Sequence, residues 1–196
     1  TAIHFVPEPL QEGYQHITYQ ELYVRVNEFA ALLRDFAGLK RGDRVTLHMP
    51  MIPELPITML ACARLGVIHS QVFGGFSGTA CADRIVDSGS RVLITADAYY
   101  RSGTLLDHKQ NADVAVEHAE KDGQKVDKVL VWQRYAGKYS AATPMVEGRD
   151  YFVNDLLKDY YGARVEPERM NSEDPLFLMY TSGTTGKPKG CQHGTG

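Results

Sequence analysis

The chain has 196 residues, 43% of them hydrophobic and 23% charged, with a formal net charge of −3. That length fits one domain or part of a larger one, and a chain this size can bury about 70% of the surface it exposes when unfolded. The balanced composition excludes disordered, collagen-like and fibrous classes, and without a basic excess the chain lacks the electrostatic footprint of a nucleic-acid binder. Cys62, Cys81 and Cys191 lie far apart and form no C-x-x-C pair. A disulfide framework or zinc ribbon is therefore not expected, and reduced thiols in a cytoplasmic protein are. The opening TAIHFVPEPLQEGY has no apolar stretch behind a basic start, and no apolar run approaches the ~20 residues that span a bilayer. The expectation is a soluble protein with no membrane partner.

Residues 1–16 carry Pro7, Pro9 and Gly13 without periodicity and read as an irregular lead-in. Thr18 with Glu21 three residues on forms a capping-box signal, and Ile17 and Leu22 form a staple. Leu22, Val26, Phe29, Ala30 and Leu33 then follow helical spacing up to Gly38. RVTLHM (44–49) predicts a strand, and Pro53 opens a helix that stops at Gly66. GVIHSQVF (66–73) predicts a strand running into GGFSG, where Ser77 caps a helix to about Asp87; RVLITAD (91–97) is the next strand. A helix over 111–121, a strand over 126–133, a loop over 135–149, a helix over 152–161 and a strand over 175–180 complete the order. Strands alternating with helices predict an α/β fold with a mostly parallel sheet covered by helices on both faces.

The most informative segment is TSGTTGKPKG, 181–190. Gly183, Gly186 and Gly190 let the backbone approach a ligand, and Thr181, Ser182, Thr184 and Thr185 supply hydroxyls. Lys187 and Lys189 add positive charge around Pro188. Amides, hydroxyls and lysines gathered in ten residues suit a polyphosphate. The segment is not a Walker A loop, because Pro188 stands where the magnesium-binding hydroxyl belongs and only two residues separate Gly183 from Gly186. This disfavours a P-loop phosphotransferase. Asp97 closes an apolar strand as a Walker B aspartate would, but it lies far upstream of the loop and reads as structure.

YTSGTTGKPKG resembles the signature of the adenylate-forming superfamily of acyl-CoA synthetases, luciferases and peptide-synthetase adenylation domains. MPMIPELPITMLACARLGVIHSQVFGGFS (49–77) narrows the resemblance to the AMP-forming acetyl-CoA synthetases, the acetate–CoA ligases, and HITYQELYVRVNEFA and GDRVTLHMP agree. The similarity runs from about Ile17 to Gly196. It implies a partial N-terminal AMP-binding domain over 1–196, with the small C-terminal domain absent. It also implies the substrates ATP, acetate and CoA, with Mg2+, and a two-step reaction through an acyl-adenylate.

By the same resemblance, Thr181, Ser182, Gly183, Thr184, Thr185, Gly186, Lys187 and Lys189 hold the ATP phosphates. Gly74 and Gly75 line the CoA pantetheine tunnel, and Arg101, Ser102, Gly103 and Thr104 meet the CoA nucleotide. The family carries two arginines three residues apart in this last stretch, whereas this chain has Arg101 and then Thr104. Losing one charge-assisted contact there costs roughly 1.5–3 kcal/mol. After Ser77 the family has Pro-Glu, and Gly78-Thr79 is a weaker helix opening.

No catalytic side chain and no metal ligand is assigned. The seven histidines lack ligand spacing, His193 reads as a turn residue, and Trp132 reads as packing. The chain alone is expected to be inactive. Two alternatives are a non-catalytic ATP- or CoA-binding module and a propionate-preferring short-chain acyl-CoA synthetase.

Overall fold

The fold is that of a computed structural model describing residues 1–136, 143–181 and 188–196. The lead-in is more ordered than its sequence suggests. β1 (Ile3–Phe5) pairs antiparallel with β2 (Gln15–Ile17), and a 3-10 turn at Leu10–Glu12 lies between them. Backbone pairing and the cross-strand His4 and His16 rings, 4.2 Å apart, make this ribbon, so no hydrophobic alternation announces it.

Thr18 caps α1 (Tyr19–Asp35) as expected. Its hydroxyl accepts the Glu21 amide at 3.2 Å, and its own amide donates to the Glu21 carboxylate at 2.7 Å. α1 buries Val26, Phe29, Ala30, Leu32 and Leu33. β3 (Arg44–Met49), α2 (Glu54–Arg64), β4 (Ile68–Phe73), α3 (Gly78–Ser88) and β5 (Val92–Ala96) follow with the bounds their patterns predict, to within two residues.

Beyond Asp97 comes a hairpin, β6 (Ala98–Arg101) and β7 (Thr104–Asp107), where the sequence suggested only a loop. Ser102 and Gly103 both take left-handed φ, 52° and 77°, the geometry of a tight two-residue turn whose twist matches the strands. α4 (Lys109–Lys121) and β8 (Lys128–Trp132) then complete the regular alternation.

The second half of the chain departs further. β9 (Asp150–Phe152) is a three-residue strand with a charged residue at its head. The helix expected over 152–161 is a single turn, α5 (Val153–Leu156), followed by a 3-10 turn at Leu157–Tyr160. Phe152 is used in the strand, and Asn154 turns aside to accept the Gln133 amide at 2.7 Å. β10 (Pro175–Thr181) and β11 (Lys189–Gly194) form an antiparallel hairpin.

Among the described residues the main sheet has seven strands in the order β11-β10-β4-β3-β5-β8-β9, parallel except at β10–β11. Alternation along the strands divides the core. Val45, Leu47, Met49, Val92, Ile94, Leu130 and Trp132 face α1 and α2, whereas Leu93, Val129 and Val131 face α3 and α4. β3 reaches β4 through α2 on one face. β4 reaches β5, and β5 reaches β8, by stepping the opposite way through helices on the other face. All three crossovers therefore share one hand, as strand twist requires.

Two expectations about the end of the sheet need correction. β10 is half-exposed rather than buried, with α3 reaching it at Tyr180, and β11 is exposed throughout. His193 is a strand residue of β11, stacked on Phe177 at 4.4 Å, rather than a turn residue. Among the described residues, no helix is long and apolar enough to cross a membrane.

Candidate functional site

Strand order reverses between β3 and β5, and in open parallel sheets ligands bind beyond the carboxyl ends of the strands at such a point. A cleft of about 300 Å3 opens there. Its walls include Pro50 and Met51 after β3, Phe73, Gly74 and Gly75 after β4, and Tyr99 and Arg101 of the β6–β7 hairpin. The remaining wall is the lead-in, Phe5 to Pro9. Sequence reasoning set that segment aside, and its one legible signal was the stiffness of two prolines two residues apart.

Asp97 holds the cleft together. Its buried carboxylate accepts the amides of Ala98 at 2.7 Å, Arg134 at 3.0 Å and Tyr135 at 2.9 Å. Its carbonyl oxygen accepts the amides of His108 and Lys109 at 2.9 and 3.1 Å. One residue thus joins the end of β5, the hairpin, the start of α4 and the segment after β8. This is a structural role, in line with its reading from the sequence.

Gly74 and Gly75 are close-approach glycines. A Cβ on Gly74 would lie 2.9 Å from the Met49 carbonyl oxygen and from the Pro50 backbone, and one on Gly75 would collide with the Arg101 guanidinium. The Tyr99 hydroxyl donates to the Gly74 carbonyl at 3.2 Å, docking the hairpin on this turn. The structure therefore brings Gly74, Gly75 and Arg101 together. Ser102, Gly103 and Thr104 lie at the exposed hairpin tip outside the cleft lining, where the Gly103 amide donates to Glu8. Thr104 is the cross-strand partner of Arg101, so an arginine at 104 would stand directly opposite the first.

Gly78, expected to weaken the start of α3, permits close packing instead. A Cβ there would lie 2.5 Å from the Asn111 carbonyl oxygen of α4. Ser77 still caps α3, accepting the Ala80 amide at 3.2 Å.

Of the phosphate-loop residues, Ser182, Gly183, Thr184, Thr185, Gly186 and Lys187 lie outside the described residues. Thr181 and Lys189 face each other as the last pair of the β10–β11 hairpin. β10 runs parallel to β4 with Phe177 opposite His69 and Met179 opposite Gln71. Two residues further in this register, Thr181 is level with Phe73, the residue before Gly74. The loop and the paired-glycine turn thus leave neighbouring strands at the same height, about 5 Å apart in the sheet direction.

Buried histidines line the same end of the sheet. The His48 and His108 rings are 4.4 Å apart, and His108 Nε2 meets the His48 carbonyl at 2.9 Å. Burial, with each other's proximity, pushes His48 down to about 3, and burial pushes His108 down to about 4. Both rings are thus neutral rather than cationic at pH 7, unsuited to holding phosphate by charge. Cys62 and Cys81 are buried free thiols pushed up to about 12 by burial, hence not nucleophiles. Among the described residues no group of three or more His, Cys, Asp or Glu side chains could hold a metal ion.

A mostly parallel sheet with helices on both faces and a glycine-lined cleft at its switch point defines a doubly wound α/β protein. The family model for AMP-binding enzymes matches residues 1–196, and the chain belongs to that family. Among its curated relatives, an acetyl-coenzyme A synthetase of Pyrobaculum aerophilum is 48% identical over 201 residues, covering 100% of this chain and 29% of its own. An acetyl-coenzyme A synthetase of Marinobacter nauticus is 50% identical over 182 residues, covering 93% and 27%. A 3-hydroxypropionyl-coenzyme A synthetase of Sulfurisphaera tokodaii is 49% identical over 180 residues, covering 92% and 26%. The chain thus spans little more than a quarter of the length of these relatives.

Proposed function

We propose that this chain is the N-terminal part of the AMP-binding domain of an acetate–CoA ligase. It carries the ATP-phosphate loop and one side of the CoA site. The observation that carries the reading is adjacency: Thr181 and Gly74 leave neighbouring strands at one level, in a chain about half identical to acetyl-coenzyme A synthetases along its length. The 3-hydroxypropionyl relative favours a second reading of the acyl group, a substituted three-carbon acid in place of acetate.

In this reading ATP and a carboxylate give an acyl-adenylate and pyrophosphate, and CoA then displaces AMP. The hydroxyls of Thr181, Ser182, Thr184 and Thr185, the loop amides, Lys187 and Lys189 hold the β- and γ-phosphates as pyrophosphate departs. Their contribution is fixed donors aimed at developing charge, with no covalent step. Magnesium arrives on the nucleotide as part of the substrate. Gly74 and Gly75 let the pantetheine arm lie against the backbone, and Arg101 meets the CoA phosphate.

Acetate-dependent ATP–pyrophosphate exchange tests the reading. The 196-residue chain alone is expected to show no exchange, since it spans little more than a quarter of its relatives' length. In a full-length protein carrying this segment, Thr184→Ala with Thr185→Ala is expected to lower the rate by about 10²-fold, the scale of losing transition-state donors. An unchanged rate would count against the loop assignment.

A further inference from the structure

A line of alternating cations and rings runs from the cleft to the phosphate-loop hairpin. The Arg101 guanidinium lies 5.8 Å from the Phe73 ring centroid, and Phe73 meets Phe76 edge-on at 5.8 Å. Arg84 of α3 lies over the Phe76 ring at 4.8 Å and over the Tyr180 ring at 5.4 Å. The Tyr180 hydroxyl donates to Asp87 at 2.7 Å, one turn further along the same helix. Tyr180 precedes Thr181, and a Cβ placed on its cross-strand partner Gly190 would lie 3.1 Å from the ring and 3.3 Å from the Asp87 carboxylate.

Arg84 is 8% exposed and is held in place by a hydrogen bond to the Ala80 carbonyl. A buried guanidinium within reach of two aromatic rings is attracted to both.

We propose that Arg84 is a positioning residue that couples the Gly74–Ser77 turn to the strand ends bearing the phosphate loop. Occupancy of the CoA-side cleft is thereby felt at Tyr180, Thr181 and Gly190. The proposal rests on the functional reading above for the identity of the ligand, and on geometry alone for the coupling. Arg84 touches no reacting atom in it; it acts through the two rings.

Backbone hydrogen exchange on the 196-residue chain separates these two parts. Phe76→Leu, which removes the ring on the turn side of Arg84, is expected to speed exchange of the Tyr180 and Gly190 amides at least about fivefold, the lower end of site-to-site coupling. In an Arg84→Met background the same substitution is expected to leave those amides unchanged, and Arg84→Lys is expected to restore part of the response. Equal responses in the parent and Arg84→Met backgrounds would overturn the coupling. If Arg84→Met does not fold, Tyr180→Leu removes the other end of the line and is read in the same way. Added CoA is expected to protect both the 73–77 turn and the hairpin in the parent chain, but only the turn in Arg84→Met. Protection of the turn without the hairpin in the parent chain would likewise overturn the coupling. Absence of any CoA protection would instead overturn the CoA reading, while the Phe76 comparison still decides the coupling.

Discussion

At Gly74 the fold leaves no room for even a methyl group. Met49 and Pro50 approach it with backbone atoms, which cannot swing aside as a side chain would. Gly74→Ala is therefore expected to destabilise the chain by about 1–3 kcal/mol, the cost of overpacking a fixed site, as read from its urea midpoint. A midpoint equal to that of the parent would show that the turn is looser than this. The same substitution strains the Tyr99–Gly74 hydrogen bond and thus the seat of the β6–β7 hairpin. Arg101 makes the contrast: it is exposed at the cleft wall, so its truncation bears on ligand binding more than on folding.

At the scale of elements, the join between α4 and β9 depends on one buried cation. Lys109 Nζ lies 2.6 Å from Asp113 and 2.8 Å from Asp150, and donates to the Pro144 carbonyl at 3.1 Å. Burial alone would raise the Asp150 carboxyl, but Arg149, Lys109 and the Val146 amide outweigh it and hold it below the ordinary carboxylate range. Lys109→Met removes one partner and leaves a buried carboxylate behind, at a cost of about 3 kcal/mol, since Arg149 remains. Chemical denaturation checks this, and a loss below about 0.5 kcal/mol would mean that the pair is solvated.

This join also shows where the sequence was legible. β3, β5 and β8 are central strands buried on both faces, so their Val/Ile/Leu runs gave their positions directly. α1 and α3 were legible in their caps, Thr18 and Ser77. β9 was not, because its head is a buried aspartate whose partners include a lysine 41 residues earlier, and no local pattern records that. β11 was missed because KGCQHG is exposed throughout, with no buried face to leave an apolar signature. In the site, Gly74, Gly75 and Arg101 were found through their motifs. The Phe5–Pro9 wall and the Arg84 line had no motif and emerge only from the packing.

For the whole molecule, three buried histidines set the response to acid. His48, His69 and His108 titrate at about 3, 4 and 4 in the folded chain, chiefly because burial disfavours the cation, against an ordinary value of 6.5. Above pH 6.5 all three are neutral in both states, and their contribution to stability is fully present. As pH falls towards 4 the unfolded chain takes up protons that the folded chain refuses, so stability drops by up to about 1.4 kcal/mol per pH unit for each. Below the ordinary carboxylate range Asp150 adds a loss of the same sign. The urea midpoint is expected to fall steeply between about pH 6 and pH 4, and His48→Phe is expected to flatten the slope. A midpoint independent of pH over that window would contradict the burial of the rings.

The Asp97 carboxylate has a consequence for the order in which a growing chain acquires its parts. Three of the amides it holds belong to Ala98, Arg134 and Tyr135, so the cleft cannot close around residues 5–9, 50–51 and 73–75 until residue 135 has been made. The β10–β11 hairpin is made some forty residues later, at 175–194. N-terminal segments generally fold first during synthesis. A nascent chain therefore builds the cleft ahead of the strand that will flank it, and β4 waits with one edge open until β10 arrives.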